Sequence, residues 1–365
     1  MKLAIVCRPL SFHGGIETST SGLIEELSRR GHAIDFLTSG AQPELSGARV
    51  RRLATIPQPS VLRILSFALT AARAVAHAGY DLVQSHERTL RQDVYRAGEG
   101  THRGYLAAMG RGGSSRLQDR LLCALEARIF GLRSARHIVA IARAGKAEIE
   151  RLFATPAERV TVVYNGVDLA RFHPDNRERL GPTARQALGI DRGEWVILFV
   201  GSGFERKGLG PLIDALSRFG DRRWRLVVAG KGDARPYREQ VERLGLGDRV
   251  TWLDPERQVE RLYAAADVVA LPARYEPFGN VHLEALATGV PVLTSRSAGG
   301  AELISQGRNG WVVPAPAPPD IALGLLALRD GGRAKLAGAS RASAEPFTRG
   351  AQADALEALY QHLAR

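Results

Sequence analysis

The feature that most constrains this chain is an alternation. A short run of Val, Ile and Leu is followed by a turn, often glycine-bearing, then an amphipathic helix, then another apolar run. In the first half the runs fall at 2–8, 33–38, 50–54, 82–86, 94–98, 137–141 and 160–164. In the second half they fall at 196–201, 225–230, 250–253, 268–272, 291–294 and 311–314. Runs this short, without polar alternation, fit strands buried on both faces, as in a parallel sheet. The segments between them carry helical periodicity. Over 18–30, for example, Leu23, Ile24 and Leu27 share one face. Alternating strands and helices join parallel neighbours by right-handed crossovers. The pattern therefore predicts an α/β protein of two doubly wound, Rossmann-like domains facing across a cleft. The length of 365 residues agrees, at roughly 150 residues per domain. The polar, aperiodic stretch 166–182 is the expected linker. The expected domains are 1–168 and 169–347. A last helix, 348–365, is expected to pack back on the first.

Composition removes several classes. No run of 18 apolar residues occurs, so no membrane-spanning helix is expected. The apolar start stops at Arg8-Pro9, too short for a secretory signal. Cys7 and Cys123 are isolated, which fits a reducing cytosol and offers neither a disulfide framework nor a paired-cysteine metal site. The net charge is +12, and it is uneven. Residues 103–146 hold nine basic side chains against Asp119 and Glu126. Such a segment fits an anionic partner. Only Tyr105 and Phe130 could stack bases there, which argues against nucleic acid. Leu117, Leu121, Leu122, Leu125, Ile129 and Phe130 share a helical face. A basic helix with such a face can lie on an anionic membrane; the charge is read that way, while the apolar face itself is expected to pack into the first domain.

Three glycine loops follow strands: Gly14-Gly15, the stretch 201–208, and Gly230-Lys231-Gly232. Each alone could be a tight strand-to-helix turn. The middle one also carries Arg206 and Lys207, in a chain with only five lysines. A compact ammonium in a glycine loop suits a phosphate oxygen. No G-x-G-x-x-G follows the first strand and no G-K-[ST] occurs, which weighs against dehydrogenases and P-loop NTPases. The stretch 272–291 places Glu276 in a loop and Glu284 in the helix that opens near Phe278-Gly279-Asn280. Two carboxylates beside helix-terminal amides suit a polyhydroxyl ligand.

Glu276-x7-Glu284 followed by Ala-Leu-Ala-x-Gly-Val-Pro-Val resembles the EX7E motif of retaining GT-B glycosyltransferases of family 4. Other segments match that family in order. They are Gly14-Gly15, Tyr164-Asn165-Gly166-Val167-Asp168, Gly201 with Arg206-Lys207-Gly208, the stretch 228–233, Tyr263 to Val268, and Gly299-Gly300-Ala301-Glu302. The stretches 93–99 and 201–208 look most like lipopolysaccharide core glucosyltransferases. The resemblance implies a nucleoside-diphosphate sugar donor, a UDP-sugar first, on the second domain. Arg206 and Lys207 would neutralise the diphosphate and Glu284 would hold the ribose. Glu276, with the amides of Phe278, Gly279 and Asn280, would hold the sugar. Gly14, Gly15, Gly201 and Ser202 would line the donor. Where the family commonly has Gly after the strand 250–253, this chain has Asp254-Pro255, expected at the nucleobase. Glu99 is the candidate for orienting the acceptor, with His86, His102 and His13 as alternatives. No Asp-x-Asp occurs, so neither metal nor cofactor is called for. The expected acceptor is lipid-linked or lipopolysaccharide-type, and the expected location is the cytoplasmic face of the plasma membrane. The rival readings are an epimerase of the same architecture and a basic nucleic-acid-binding protein.

Overall fold

The computed structural model describes residues 1–10, 15–220 and 223–364. It divides into two compact units. One runs to Gly166 and resumes from Arg349; the other is Val167–Thr348. The expected strands are all present, their ends displaced by at most two residues. The first unit holds β1 (Lys2–Val6), β2 (Ala33–Thr38), β3 (Arg49–Arg52), β4 (Leu82–Ser85), β5 (Val94–Arg96), β6 (His137–Ala140) and β7 (Val160–Val162), in the order β3-β2-β1-β4-β5-β6-β7. The second holds β8 (Trp195–Val200), β9 (Trp224–Ala229), β10 (Val250–Leu253), β11 (Val268–Leu271), β12 (Val292–Ser295) and β13 (Gly310–Val313), in the order β10-β9-β8-β11-β12-β13. Every pairing is parallel, with Lys2 opposite Ala33 and Val250 opposite Leu226 setting two of the registers. Strand order reverses between β1 and β4 in one sheet and between β8 and β11 in the other. In open α/β sheets such switch points are where ligands bind, outside the carboxyl ends of the strands.

Helices cover both faces of each sheet. In the first unit Leu23, Ile24 and Leu27 of the helix Gly15–Arg29 are fully buried, as their spacing predicts. The helix Arg349–Ala364 adds Leu356, Leu359, Tyr360 and Leu363 to the same core as Leu3 and Ile5. Each such side chain contributes roughly 1.5–3 kcal/mol by leaving water. Arg30 and His32 fasten this helix through Glu357, at 2.6 and 2.7 Å. In the second unit Ile197, Phe199, Leu212, Trp224, Leu226 and Leu293 belong to one continuous core.

The stretch 166–182 is not a plain linker. Residues Asn176–Arg179 are helical, and Gly181–Ala187 opens another helix. Arg177 donates to the carbonyls of Ala264, Ala265 and Ala266 and pairs with Asp267 at 2.9 Å. These guanidinium bonds satisfy orphan carbonyls at the end of the helix Val259–Ala265, so the segment is held by capping as well as packing. That is why no apolar period announced it.

The basic segment 103–146 spans the end of the helix His102–Ala108, the helix Leu117–Phe130, β6 and the start of the helix Arg143–Phe153. Leu125, Ile129 and Phe130 are buried in the first unit, while Leu117 stays 64% exposed. Half of the apolar face is therefore core, and Leu121 and Leu122 are partly covered. No helix among the described residues is long and apolar enough to cross a membrane.

Candidate functional site

In the second unit Arg206 and Lys207 leave the loop after β8, and Glu276 leaves the loop after β11, so both sides of the switch point contribute charge. Lys207 Nζ donates to Glu276 Oε2 at 2.6 Å, and Arg206 Nη1 donates to the same oxygen at 3.0 Å. Burial alone would raise the Glu276 carboxyl. Lys207 and then Arg206 outweigh it and draw it down to about 2, so it stays ionised. Gly201, at φ +141°, makes room for the lysine, since a Cβ there would meet Lys207 Cε at 2.5 Å. Backbone bonds stitch the loops together. Arg206 Nη1 donates to the Tyr275 carbonyl, Glu276 N to Ser297 O, Gly299 N to Glu276 O, and Gly300 N to Phe278 O. The glycine pair matched at 299–300 thus supports the Glu276 loop directly.

Gly279, at φ +80°, opens the helix Asn280–Ala287. Beneath it lies His282, fully buried, which sequence reasoning missed. Its Nδ1 is 2.7 Å from the Gly279 carbonyl and its Nε2 is 2.8 Å from Thr294 Oγ1. Burial pushes this imidazole down to about 4, so it is neutral at physiological pH. A carbonyl only accepts, so Nδ1 carries the proton and the unprotonated Nε2 faces the threonine Oγ1, which also lies 3.1 Å from the Leu271 carbonyl. A Cβ at Gly279 would meet His282 Nδ1 at 2.7 Å, so this ring and that turn require each other. The sole sequence signal was a histidine two residues before Glu284.

Glu284 lies about one turn into the helix Asn280–Ala287. Tyr263 Oη donates to its Oε2 at 2.6 Å, and burial raises the carboxyl despite this bond. Tyr263 itself is fully buried. Phe278 turns its ring into the interior. Ser202 and Asp254 are exposed in their loops. Gly15 begins the helix Gly15–Arg29, and Gly14 and His13 lie outside the described residues.

Glu99 belongs to the first unit. Its Oε1 accepts from Arg8 Nη2 at 2.6 Å and its Oε2 from Arg88 Nη1 at 3.1 Å. Burial opposes its ionisation, but Arg8 and Arg88 outweigh that and hold its carboxyl below the usual range. Arg8 and Arg88 went unnoticed in the sequence because each is an ordinary arginine in an arginine-rich chain. Of the alternatives to Glu99, His86 is buried between Thr20 Oγ1, at 3.1 Å, and Gln84 Nε2, at 2.8 Å. Burial holds it neutral. His102 is paired with Asp119 at 2.9 Å. Among the described residues no group of three or more His, Cys, Asp or Glu could hold a metal ion.

Two family models match the chain. Residues 13–171 match that described as Glycosyltransferase Family 4, and residues 182–339 that described as Glycosyl transferases group 1. An uncharacterized glycosyltransferase of Methanocaldococcus jannaschii is 32% identical over 352 residues, covering 89% of this chain and 88% of its own. A D-inositol 3-phosphate glycosyltransferase of Xylanimonas cellulosilytica is 30% identical over 371 residues, covering 92% and 88%. Among solved structures, WaaG, a glycosyltransferase involved in lipopolysaccharide biosynthesis, superposes with a TM-score of 0.85 at 23% identity, over 98% of this chain and 99% of its own. HepE of Anabaena, in complex with UDP and glucose, gives 0.77 at 20% identity over 99% of each. The two parallel-sheet units are thus those of the GT-B glycosyltransferase fold. The chain belongs to the family 4, group 1 glycosyltransferases.

Proposed function

We propose that this glycosyltransferase is a retaining hexosyltransferase, taking its sugar from a UDP-sugar and passing it to a lipid-linked or lipopolysaccharide-type acceptor. The observation that carries the reading is the convergence of Arg206 and Lys207 on the Glu276 carboxylate. Breaking a glycosyl–phosphate bond leaves negative charge on the diphosphate and positive charge on the sugar ring. Two fixed cations stabilise the first, and a carboxylate that accepts sugar hydroxyls holds the second in place. Glu284, steadied by Tyr263, takes the ribose hydroxyls. Gly201, Ser202, Phe278, Gly279, Asn280 and Asp254, with Gly14 and Gly15, are the remaining donor contacts in this reading. The bond from the anomeric carbon to phosphate breaks as the bond to the acceptor oxygen forms on the same face. The acceptor proton passes to the leaving phosphate oxygen, and the products are the glycoside and UDP. Since Arg206 and Lys207 supply the positive charge, the reaction needs no metal. HepE, solved with UDP and glucose, supports the donor class, and WaaG, by its role in lipopolysaccharide biosynthesis, supports the acceptor class.

The same reading docks the enzyme on an anionic membrane surface through the basic segment. Leu117 is exposed there. Each arginine near an anionic leaflet contributes about 1 kcal/mol. The test of the whole is a nucleotide-sugar screen by thermal shift, then transfer assays on lipid-linked acceptors with the product anomer read by NMR. An inverted anomer would overturn retention, and stabilisation by no UDP-sugar would overturn the donor.

A further inference from the structure

Four charged side chains of the first unit leave the carboxyl ends of neighbouring strands. Arg8 follows β1, Glu87 and Arg88 follow β4, and Glu99 follows β5. Arg8 bridges two carboxylates, with Nε 2.6 Å from Glu87 and Nη2 2.6 Å from Glu99. Arg88 bridges Glu99 and Glu126, its Nη2 lying 2.8 Å from Glu126 Oε1. Glu126 also accepts the backbone amides of His102 and Arg103, at 2.5 and 3.3 Å. Side-chain exposure climbs along this path, from 0% at Glu126 and 9% at Arg88 to 31% at Glu99 and 41% at Arg8. The network is anchored in the core at one end and open at the other, beside the switch point between β1 and β4.

We propose that Arg8, Glu87 and Glu99 form the acceptor subsite, that it takes an uncharged polyhydroxyl group rather than a phosphorylated one, and that Arg88, held by Glu126, is the positioning residue for Glu99. This rests on the glycosyl-transfer reading above. The location is where an open α/β sheet binds its ligand. The chemistry follows from the pairing. Each guanidinium already carries two carboxylates, and the cluster of two arginines and three glutamates has a net charge of minus one. An incoming phosphate would have to displace a carboxylate from its arginine and would meet repulsion from the others. Hydroxyl groups face no such conflict. A carboxylate has more lone pairs than the single bond each Glu99 oxygen receives from Arg8 or Arg88, so it can still accept from a sugar.

Ligand-observed NMR on the full chain with UDP present tests this. The probes are paired neutral and phosphorylated polyols: methyl hexosides, methyl heptosides and myo-inositol, each against its phosphate ester. At least one neutral member should bind about tenfold or more tighter than its ester. Glu87→Gln and Glu99→Gln should each weaken that binding by roughly tenfold, the range for losing a charged hydrogen-bond partner, with UDP affinity unchanged. Arg88→Ala should weaken it as well, and Arg88→Lys should restore part of the loss. Tighter or equal binding of the esters, binding of no neutral probe, or unaltered affinity in both glutamine variants overturns the subsite while leaving UDP binding to speak for the donor reading. Failure of the wild-type chain to bind UDP brings down both.

Discussion

Each unit gathers charge at its switch point, and the two gatherings are opposite in balance. In the second unit two cations share one carboxylate, Arg206 and Lys207 on Glu276. In the first, Arg8 and Arg88 are shared among Glu87, Glu99 and Glu126. In the proposed reading the same sheet geometry serves two ligand chemistries. A surplus of positive charge fits a diphosphate; a surplus of carboxylate fits hydroxyl donors. The two also differ in how they are assembled. The second draws on two short stretches that each contain their own loop, whereas the first joins residues from four separate parts of the chain. A buried neutral histidine lies beside each cluster, His282 in one and His86 in the other.

The harshest way to break the contrast is at the donor cluster. Lys207→Ala and Glu276→Gln should each lower turnover by about 10²-fold or more, as expected for one positioned electrostatic group. Circular dichroism and melting should show an intact fold, and turnover near wild type in either variant would remove the donor assignment. A smaller effect is expected one layer deeper. Tyr263→Phe removes the hydrogen bond to Glu284, so the donor KM should rise about tenfold while kcat changes little. An unchanged donor KM would mean that Glu284 does not need its tyrosine.

Acid should affect both units. His282 is held near 4 when folded and returns to about 6.5 when unfolded, and His86 shifts the same way. Below 6.5 the unfolded chain takes up protons that the folded chain refuses. Their stabilising effect is therefore complete above 6.5 and is lost progressively as pH falls towards 4. Glu276, depressed to about 2, adds a second loss that begins below about 4.5. Melting temperature should fall by a few degrees between pH 7 and 5, and His282→Asn should flatten that slope. A melting temperature that does not move over this range would contradict the buried neutral imidazoles. The smallest expected effect is none: excess EDTA should leave turnover unchanged. Complete loss with recovery on adding Mg²⁺ would show that Arg206 and Lys207 alone do not carry the leaving group.

The strands were legible because nothing but a doubly wound parallel sheet makes use of so many short unbroken apolar runs, and they appear within two residues of their expected ends. The Arg206, Lys207 and Glu276 cluster was legible because its residues sit in two recognisable loops, each a single strand-to-helix turn. The helical turns within the expected linker 166–182 had no sequence signal, because guanidinium bonds to carbonyl groups leave no hydropathy period. His282 and Tyr263 were invisible as functional residues since a buried histidine or tyrosine looks in sequence like any other core member. Local chemistry by itself therefore determined the two sheets, the glycine turns and the donor-side motif. Tertiary structure alone decided that Arg8 and Arg88 meet at Glu99, because only sheet order makes neighbours of β1, β4 and β5. It also decided which ring nitrogen of His282 carries a proton, because that depends on a carbonyl and a hydroxyl that the fold brings to either side of it.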